Sequence, residues 1–279
     1  MSFEKIQCHI KVTSIDVDAV TLLAQETGLS KQKIKIAMQK GAVWLTQGKQ
    51  TLRLRRAKKA LKIGNELDLY YNQQVLDEAV TPAEMLFDEG EYSLWYKPYG
   101  MRSQGSKWSD HTTIDRYVAL NCQPQRSAYL IHRLDRAATG LMLIGHTKNA
   151  TRAIANMFET RNLTKYYQVI VHGKFPTGTV SINTDVDNKP ALSHATLIEY
   201  QAQLNQSLVS VKIESGRKHQ IRIHMASLGY SVVGDRLHGK ADEQSPNLKL
   251  TSCYFEFTCP LTHSVKVFEL PQHLQPSFE

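Results

Sequence analysis

The chain has 279 residues, 42% of them hydrophobic and 22% charged, a balance typical of a globular protein with room for one large domain or two unequal ones. No window reaches the roughly 18 uninterrupted apolar residues of a membrane span, and Met1 to Gln7 lacks the apolar centre of a signal peptide, so a cytoplasmic location is expected. Thirty-four basic against 26 acidic residues leave a net charge of +8, which suits a polyanionic partner.

Cys8, Cys122, Cys253 and Cys259 form no C-x-x-C pair, which argues against a zinc knuckle or a disulfide framework. The histidines lack metal-ligand spacing, so no metal is expected.

Val20, Leu23 and Ala24 form a stripe at helical spacing that runs into Gly28, a helix stop, and Ser30, a cap for the next helix. That helix, Lys31 to Lys40, sets Ile34 and Met38 on one face and Lys31, Lys33 and Lys35 elsewhere. Two strands follow around the turn Thr46-Gln47-Gly48-Lys49-Gln50. Arg53, Arg55, Arg56, Lys58 and Lys59 then make a basic cluster. With the basic helix it is suited to follow a phosphate backbone. Ile63-Gly64-Asn65-Glu66-Leu67-Asp68-Leu69 supplies a turn and a closing strand. This series resembles the small RNA-binding αL module of a small-subunit ribosomal protein and of many RNA-modifying enzymes, with Gln47-Gly48 at a hairpin tip that is usually Asn-Gly.

The expected organisation is a module over residues 1–72, a polar linker over 73–85 and a catalytic domain over 86–279. The catalytic domain opens with a hairpin, Leu86 to Tyr96, broken by Lys97-Pro98-Tyr99-Gly100. A short helix spans Thr113 to Leu120, and another runs from Ala150 to Glu159 with Ala153, Ile154 and Phe158 buried. Lys165 to Gly173 reads as a strand with Tyr167, Val169 and Val171 on one side. Further strands over 196–199 and 208–213, and a hairpin from Tyr254 to Glu269, do not alternate regularly with helices. The fold class is therefore α+β with a largely antiparallel sheet.

Between these elements lies Tyr129-Leu130-Ile131-His132-Arg133-Leu134-Asp135, then a turn ending at Gly140 and the apolar run Leu141 to Ile144. A strand persisting through Asp135 would put Arg133 and Asp135 on one face. An unpaired carboxylate between two apolar segments is costly, and a basic partner would favour its charged form. Such a group is a candidate nucleophile or base, or half of a structural ion pair. Kinase chemistry is disfavoured, because Leu134 interrupts His-Arg-Asp and no glycine-rich loop precedes it. Gly216 to Ala226 reads as a helix opening after glycine with many donors near its start, suited to anions.

Four pieces stand in order: Lys97-Pro98-Tyr99-Gly100; His132-Arg133-Leu134-Asp135 with Thr139-Gly140-Leu141; Lys165-Tyr166-Tyr167 ending at Gly173; and Gly216-Arg217-Lys218-His219-Gln220-Ile221-Arg222 leading to Gly234-Asp235. Together they resemble the RluA-type family of pseudouridine synthases. The resemblance implies isomerisation of chosen uridines in ribosomal or transfer RNA, with no cofactor and no obligatory protein partner. It implies Asp135 as the catalytic aspartate, Tyr167 as the active-site tyrosine and Arg222 as the aspartate's basic partner. Arg133 falls where the family displaces the target base, and His132, Arg217, His219 and Gln220 fall among its substrate contacts. The turn departs from the family's usual T-S-G-L, with Ala138 and Thr139 in the first two places. A protein of the same fold that binds RNA without catalysis is the alternative.

Overall fold

The computed structural model describes residues 4–278; Met1 to Phe3 and Glu279, at the ends of the expected ranges, lie outside the described residues. The chain divides into two compact units, one of residues 1–80 with 104–117, the other of 81–103 with 118–279. This partition differs from the contiguous one expected above. The expected linker is partly structured, since α3 (Gln73–Leu76) and the start of β5 (Glu84–Asp88) fall within it.

In the first unit, β1 (Lys5–Lys11), α1 (Ala19–Thr27), α2 (Lys31–Gln39), β2 (Val43–Gln47), β3 (Gln50–Arg53), β4 (Glu66–Asn72) and α3 build a sheet of order β1-β4-β2-β3 with helices on one face. The helix boundaries follow local chemistry. Asp18 accepts from the Thr21 amide at 2.8 Å, Gly28 closes α1 in the left-handed region at φ 72°, and Ser30 accepts from the Lys33 amide at 3.2 Å. Leu23, Ile34 and Met38 pack on Leu67 and Leu69, the inward residues of the alternating strand β4.

Residues 104–117 belong to the same unit. The Lys107 carbonyl accepts from Trp44 Nε1 at 3.0 Å, Trp108 meets Tyr70 edge-on with centroids 5.8 Å apart, and Arg53 Nε stands 3.0 Å from Asp110 Oδ2.

The second unit contains β5, β6 (Tyr92–Lys97), the end of α4 (Ile114–Asn121), β7 (Tyr129–Leu130), β8 (Thr139–Gly145), α5 (Lys148–Thr160), β9 (Thr164–His172), β10 (Thr179–Asn183), β11 (Leu192–Gln201), β12 (Gln206–Ile213), α6 (Gln220–Ser227), β13 (Leu250–Thr258) and β14 (Val265–Glu269). One sheet runs β10-β11-β12-β9-β13-β8-β6-β5, with β14 beside β13 and β7 beside β8. Every pairing is antiparallel except the short parallel contact of β13 with β8, in keeping with the α+β class. Leu141 and Leu143 of β8 are fully buried with Ile154 of α5 and with Phe255, Phe257 and Phe268. Among the described residues, no helix is long and apolar enough to cross a membrane.

The strand expected to persist through Asp135 stops at Leu130, where pairing with Ile144 ends. What replaces it is a loop pinned by side chains.

Candidate active site

The loop carrying Asp135 is held from two sides by the end of β6 and the segment after it. Ser103 Oγ accepts from the Leu134 amide at 2.9 Å and donates to the Leu134 carbonyl at 2.7 Å, so one hydroxyl completes both backbone groups of a single residue. Lys97, fully buried, donates to the carbonyls of Pro98 at 3.1 Å, Met101 at 2.8 Å and Arg136 at 3.4 Å. Burial pulls its pKa down to about 7 against the opposing charge of Asp135. Leu134 and Arg136 are thereby anchored on either side of Asp135.

His132 anchors the loop from within. Its Nε2 accepts from the Leu143 amide at 3.0 Å, and its ring stacks on Phe158 with centroids 4.4 Å apart and meets Phe255 edge-on. Burial, helped by Lys165, lowers its pKa to about 3, so the imidazole is neutral. The expected substrate contact at His132 thus comes from a half-buried ring packed between Phe158 and Phe255.

Asp135 Oδ2 lies 3.3 Å from Arg222 Nη1 and 3.7 Å from His219 Nε2. Arg222, on the first turn of α6, is itself gripped by Asp235: Nε donates to Oδ2 at 2.8 Å and Nη2 to Oδ1 at 2.6 Å. Asp235 Oδ1 also accepts from the amides of Leu237 at 2.9 Å and His238 at 3.0 Å. Burial pushes the Asp235 carboxyl up, but the Arg222 bond and these amides outweigh it and bring the pKa to about 2. Side-chain exposure is 4% for Arg222, 1% for Asp235 and 24% for Asp135. The guanidinium is thus a fixed bridge from a sealed carboxylate to one that reaches the cleft.

The helix expected from Gly216 begins only at Gln220, because the intervening residues form a loop and His219 takes the left-handed conformation, φ 57°. Gln220 holds this loop. Its Oε1 accepts from Ser215 Oγ at 2.8 Å and the Arg217 amide at 3.1 Å, and its Nε2 donates to the Leu192 carbonyl and Ser193 Oγ, both at 3.0 Å. With both donors and both acceptor sites engaged, Gln220 shapes the wall of the cleft instead of offering a polar group to it, a correction to its expected role as a substrate contact. His219 Nδ1 lies 2.9 Å from His238 Nε2, and burial draws the His219 pKa down.

Arg133, Asp135, Tyr167, Arg217, His219 and Leu250 line one cleft. Tyr167 points into it from β9, and burial together with the Asp135 charge drives its phenol pKa upward. Arg217 Nε donates to the Pro190 carbonyl at 3.2 Å, while Arg133 is exposed at the rim.

The expected RNA contacts of the first unit divide in two. Arg53 and Arg55 both converge on Asp110, and Lys33 pairs with Glu4 at 2.7 Å. For Arg53 and Arg55 this corrects the expectation, since residues 104–117 bring an acid that the local sequence does not contain. Lys31, Lys35, Arg56, Lys58 and Lys59 are exposed.

A family model described as RNA pseudouridylate synthase matches residues 91–227, the stretch that supplies Asp135, Tyr167 and Arg222. The dual-specificity RNA pseudouridine synthase RluA of Escherichia coli is 28% identical over 67% of this chain and 92% of its own length. This chain is similar to the RluA-type RNA pseudouridine synthases, the family model covering just under half of it.

An uncharacterized RNA pseudouridine synthase of Chloroflexus aurantiacus is 34% identical over 45% of the chain, which spans 43% of that relative. Human RNA pseudouridylate synthase domain containing 1 shares the fold, with a TM-score of 0.60 at 20% identity over 72% of this chain and 89% of that one. Asp235, Lys97 and Ser103 were assigned no role of their own from the sequence. Lys97 and Asp235 each carried a signal, standing in the first and fourth motifs; nothing local marks Ser103 as the clamp on Leu134.

Proposed function

We propose that this synthase isomerises specific uridines of ribosomal or transfer RNA to pseudouridine at the Asp135 cleft. The observation that carries the reading is the Arg222 bridge. Asp235 fixes the guanidinium, and the guanidinium orients Asp135 at the wall of a cleft that also contains Tyr167. The reaction breaks the bond from uracil N1 to ribose C1′ and forms one from C5 to C1′; C5 loses a proton and N1 gains one, so nothing else is consumed. A carboxylate at this depth reaches the sugar only if the nucleotide leaves its stack. Asp135 then acts toward the sugar as nucleophile or as base. Tyr167 packs against the flipped base and stands near its C5 proton. Exposed Arg133 is placed to stack in the space the base vacates.

The first unit serves as an αL-type RNA-binding module, its affinity supplied by Lys31, Lys35, Arg56, Lys58 and Lys59. The expected ranges, 1–72 for the module and 86–279 for the catalytic domain, serve as the functional division, with 104–117 joining the former.

The test is to incubate the full chain with total RNA from cells lacking the gene and to map pseudouridine. New pseudouridine at defined sites is the expected result, and the sites name the RNA. Binding with no new pseudouridine would overturn the reading in favour of a non-catalytic RNA-binding protein.

A further inference from the structure

One buried hydroxyl beside the cleft lacks a partner. Ser252 on β13 is fully buried, and its Oγ completes no hydrogen bond of acceptable geometry. Its position is set by two neighbouring strands. It stands directly opposite Tyr167 of antiparallel β9, so the two side chains project from the same face of the sheet. Leu250, two residues earlier and hence on that face, lines the cleft with Tyr167. A shift of register begins immediately after Ser252, which makes Ser252 and Tyr167 the last pair before the bulge.

On its other side Ser252 pairs with Gly140 of β8, five residues beyond Asp135. A Cβ at Gly140 would strike the Ser252 backbone, and its φ of +106° favours glycine. The backbone carrying Ser252 is therefore wedged between the strand of the tyrosine and the strand that follows the aspartate. Neighbouring Thr251 has a partner for its hydroxyl, Thr139 Oγ1 at 2.8 Å. The orphan is the hydroxyl on the Tyr167 side.

Buried hydroxyls without partners are uncommon and call for a reason. A neutral phenol is a poor base, and burial and Asp135 make its oxygen still harder to charge. Ser252 pulls in the opposite direction.

We propose that Ser252 is a positioning residue for Tyr167, whose hydroxyl turns to donate to Tyr167 Oη as that oxygen gains negative charge. The proposal rests on the placement of Tyr167 in the reaction site. The neutral phenol oxygen is a weak acceptor, and the bond from Ser252 strengthens as that oxygen becomes more negative. The donated bond directs the remaining face of the tyrosine oxygen toward the cleft.

The test places a fluorinated tyrosine of low intrinsic pKa at position 167 of the full chain and follows its titration by fluorine NMR without RNA. Ser252→Ala should raise that pKa by about 0.5–1 unit, the equivalent of one neutral hydrogen bond. Ser252→Cys, which keeps the size and a weaker donor, should give a smaller rise. With natural tyrosine and total RNA from cells lacking the gene, Ser252→Ala should slow single-turnover pseudouridine formation severalfold, with Ser252→Cys in between. An unchanged pKa in Ser252→Ala, or equal shifts in the alanine and cysteine variants, overturns the proposal. A wild-type chain that forms no pseudouridine while the titration still shifts would overturn the functional reading and leave the Ser252 contact in place.

Discussion

Each unit buries an aspartate against arginine, and the two clusters are wired in opposite senses. In the first unit one acid serves two cations, with Arg53 and Arg55 both converging on Asp110 Oδ2. In the second unit one cation serves two acids. Asp235 takes two short bonds from Arg222, and Asp135 receives a single contact at 3.3 Å. The first arrangement ties two elements together and leaves the guanidinium groups little to offer RNA. The second orients a carboxylate without exhausting it. On the proposed mechanism, reactivity lies where the acids outnumber the cation, because an acid that is aimed but under-engaged is available to a substrate.

The largest effect should come from the free end of that bridge. Asp135→Asn preserves shape and removes the charge, so pseudouridine formation should fall at least about 1000-fold while melting temperature and RNA affinity stay near wild type. Retained turnover would place the chemistry on another group.

The closed end should show the contrary pattern. Asp235→Asn leaves the Arg222 guanidinium buried without its compensating charge, and urea denaturation should show the second unit destabilised by about 3–5 kcal/mol, with activity falling as well. Asp110→Asn, by contrast, should weaken the first unit and leave turnover of bound RNA unchanged. Equal losses of turnover in the two variants would erase the distinction between the clusters.

His132 sharpens the comparison through pH. Its folded pKa, about 3, lies below its unfolded value of 6.5. The stability its neutral form contributes is therefore fully present above pH 6.5 and is lost as pH falls toward 3. Between pH 7.5 and 4.5 the wild type should lose about 2–3 kcal/mol more stability than His132→Phe, measured by urea midpoints at both pH values. Parallel losses would mean the ring is not held neutral.

The smallest effect belongs to the exposed lysines. Replacing Lys58 and Lys59 together by alanine should reduce the slope of log affinity against log salt by about 1–2. An unchanged slope would remove them from the RNA-binding surface.

The strands and helices were legible where burial alternates or follows a helical stripe, as in β4, β9 and α5. Motif order pointed to the Asp135–Arg222 pair, which the structure places 3.3 Å apart although 87 residues separate the two. The errors share a cause. Gln220 has its hydrogen-bonding groups engaged by backbone and side chains brought from elsewhere in the chain, and His132 is held by the Leu143 amide and two phenylalanines, fates that local spacing does not encode. Arg53 and Arg55 looked available because Asp110 lies more than 50 residues downstream. The strand through Asp135 failed for the same reason: Ser103, from a distant segment, satisfies the Leu134 backbone and removes its need for a neighbouring strand.

The close pairing of Gly140 with Ser252 bears on how this turn can vary. Ala138 is buried against the cleft and Thr139 shares a hydrogen bond with Thr251, so a library built across the turn should return small residues at 138 and mainly hydroxyl residues at 139. At 140 it should return glycine almost alone. The constraint thus changes in kind within three consecutive residues, from side-chain size to a hydroxyl to the absence of any side chain, at the point where two backbones touch.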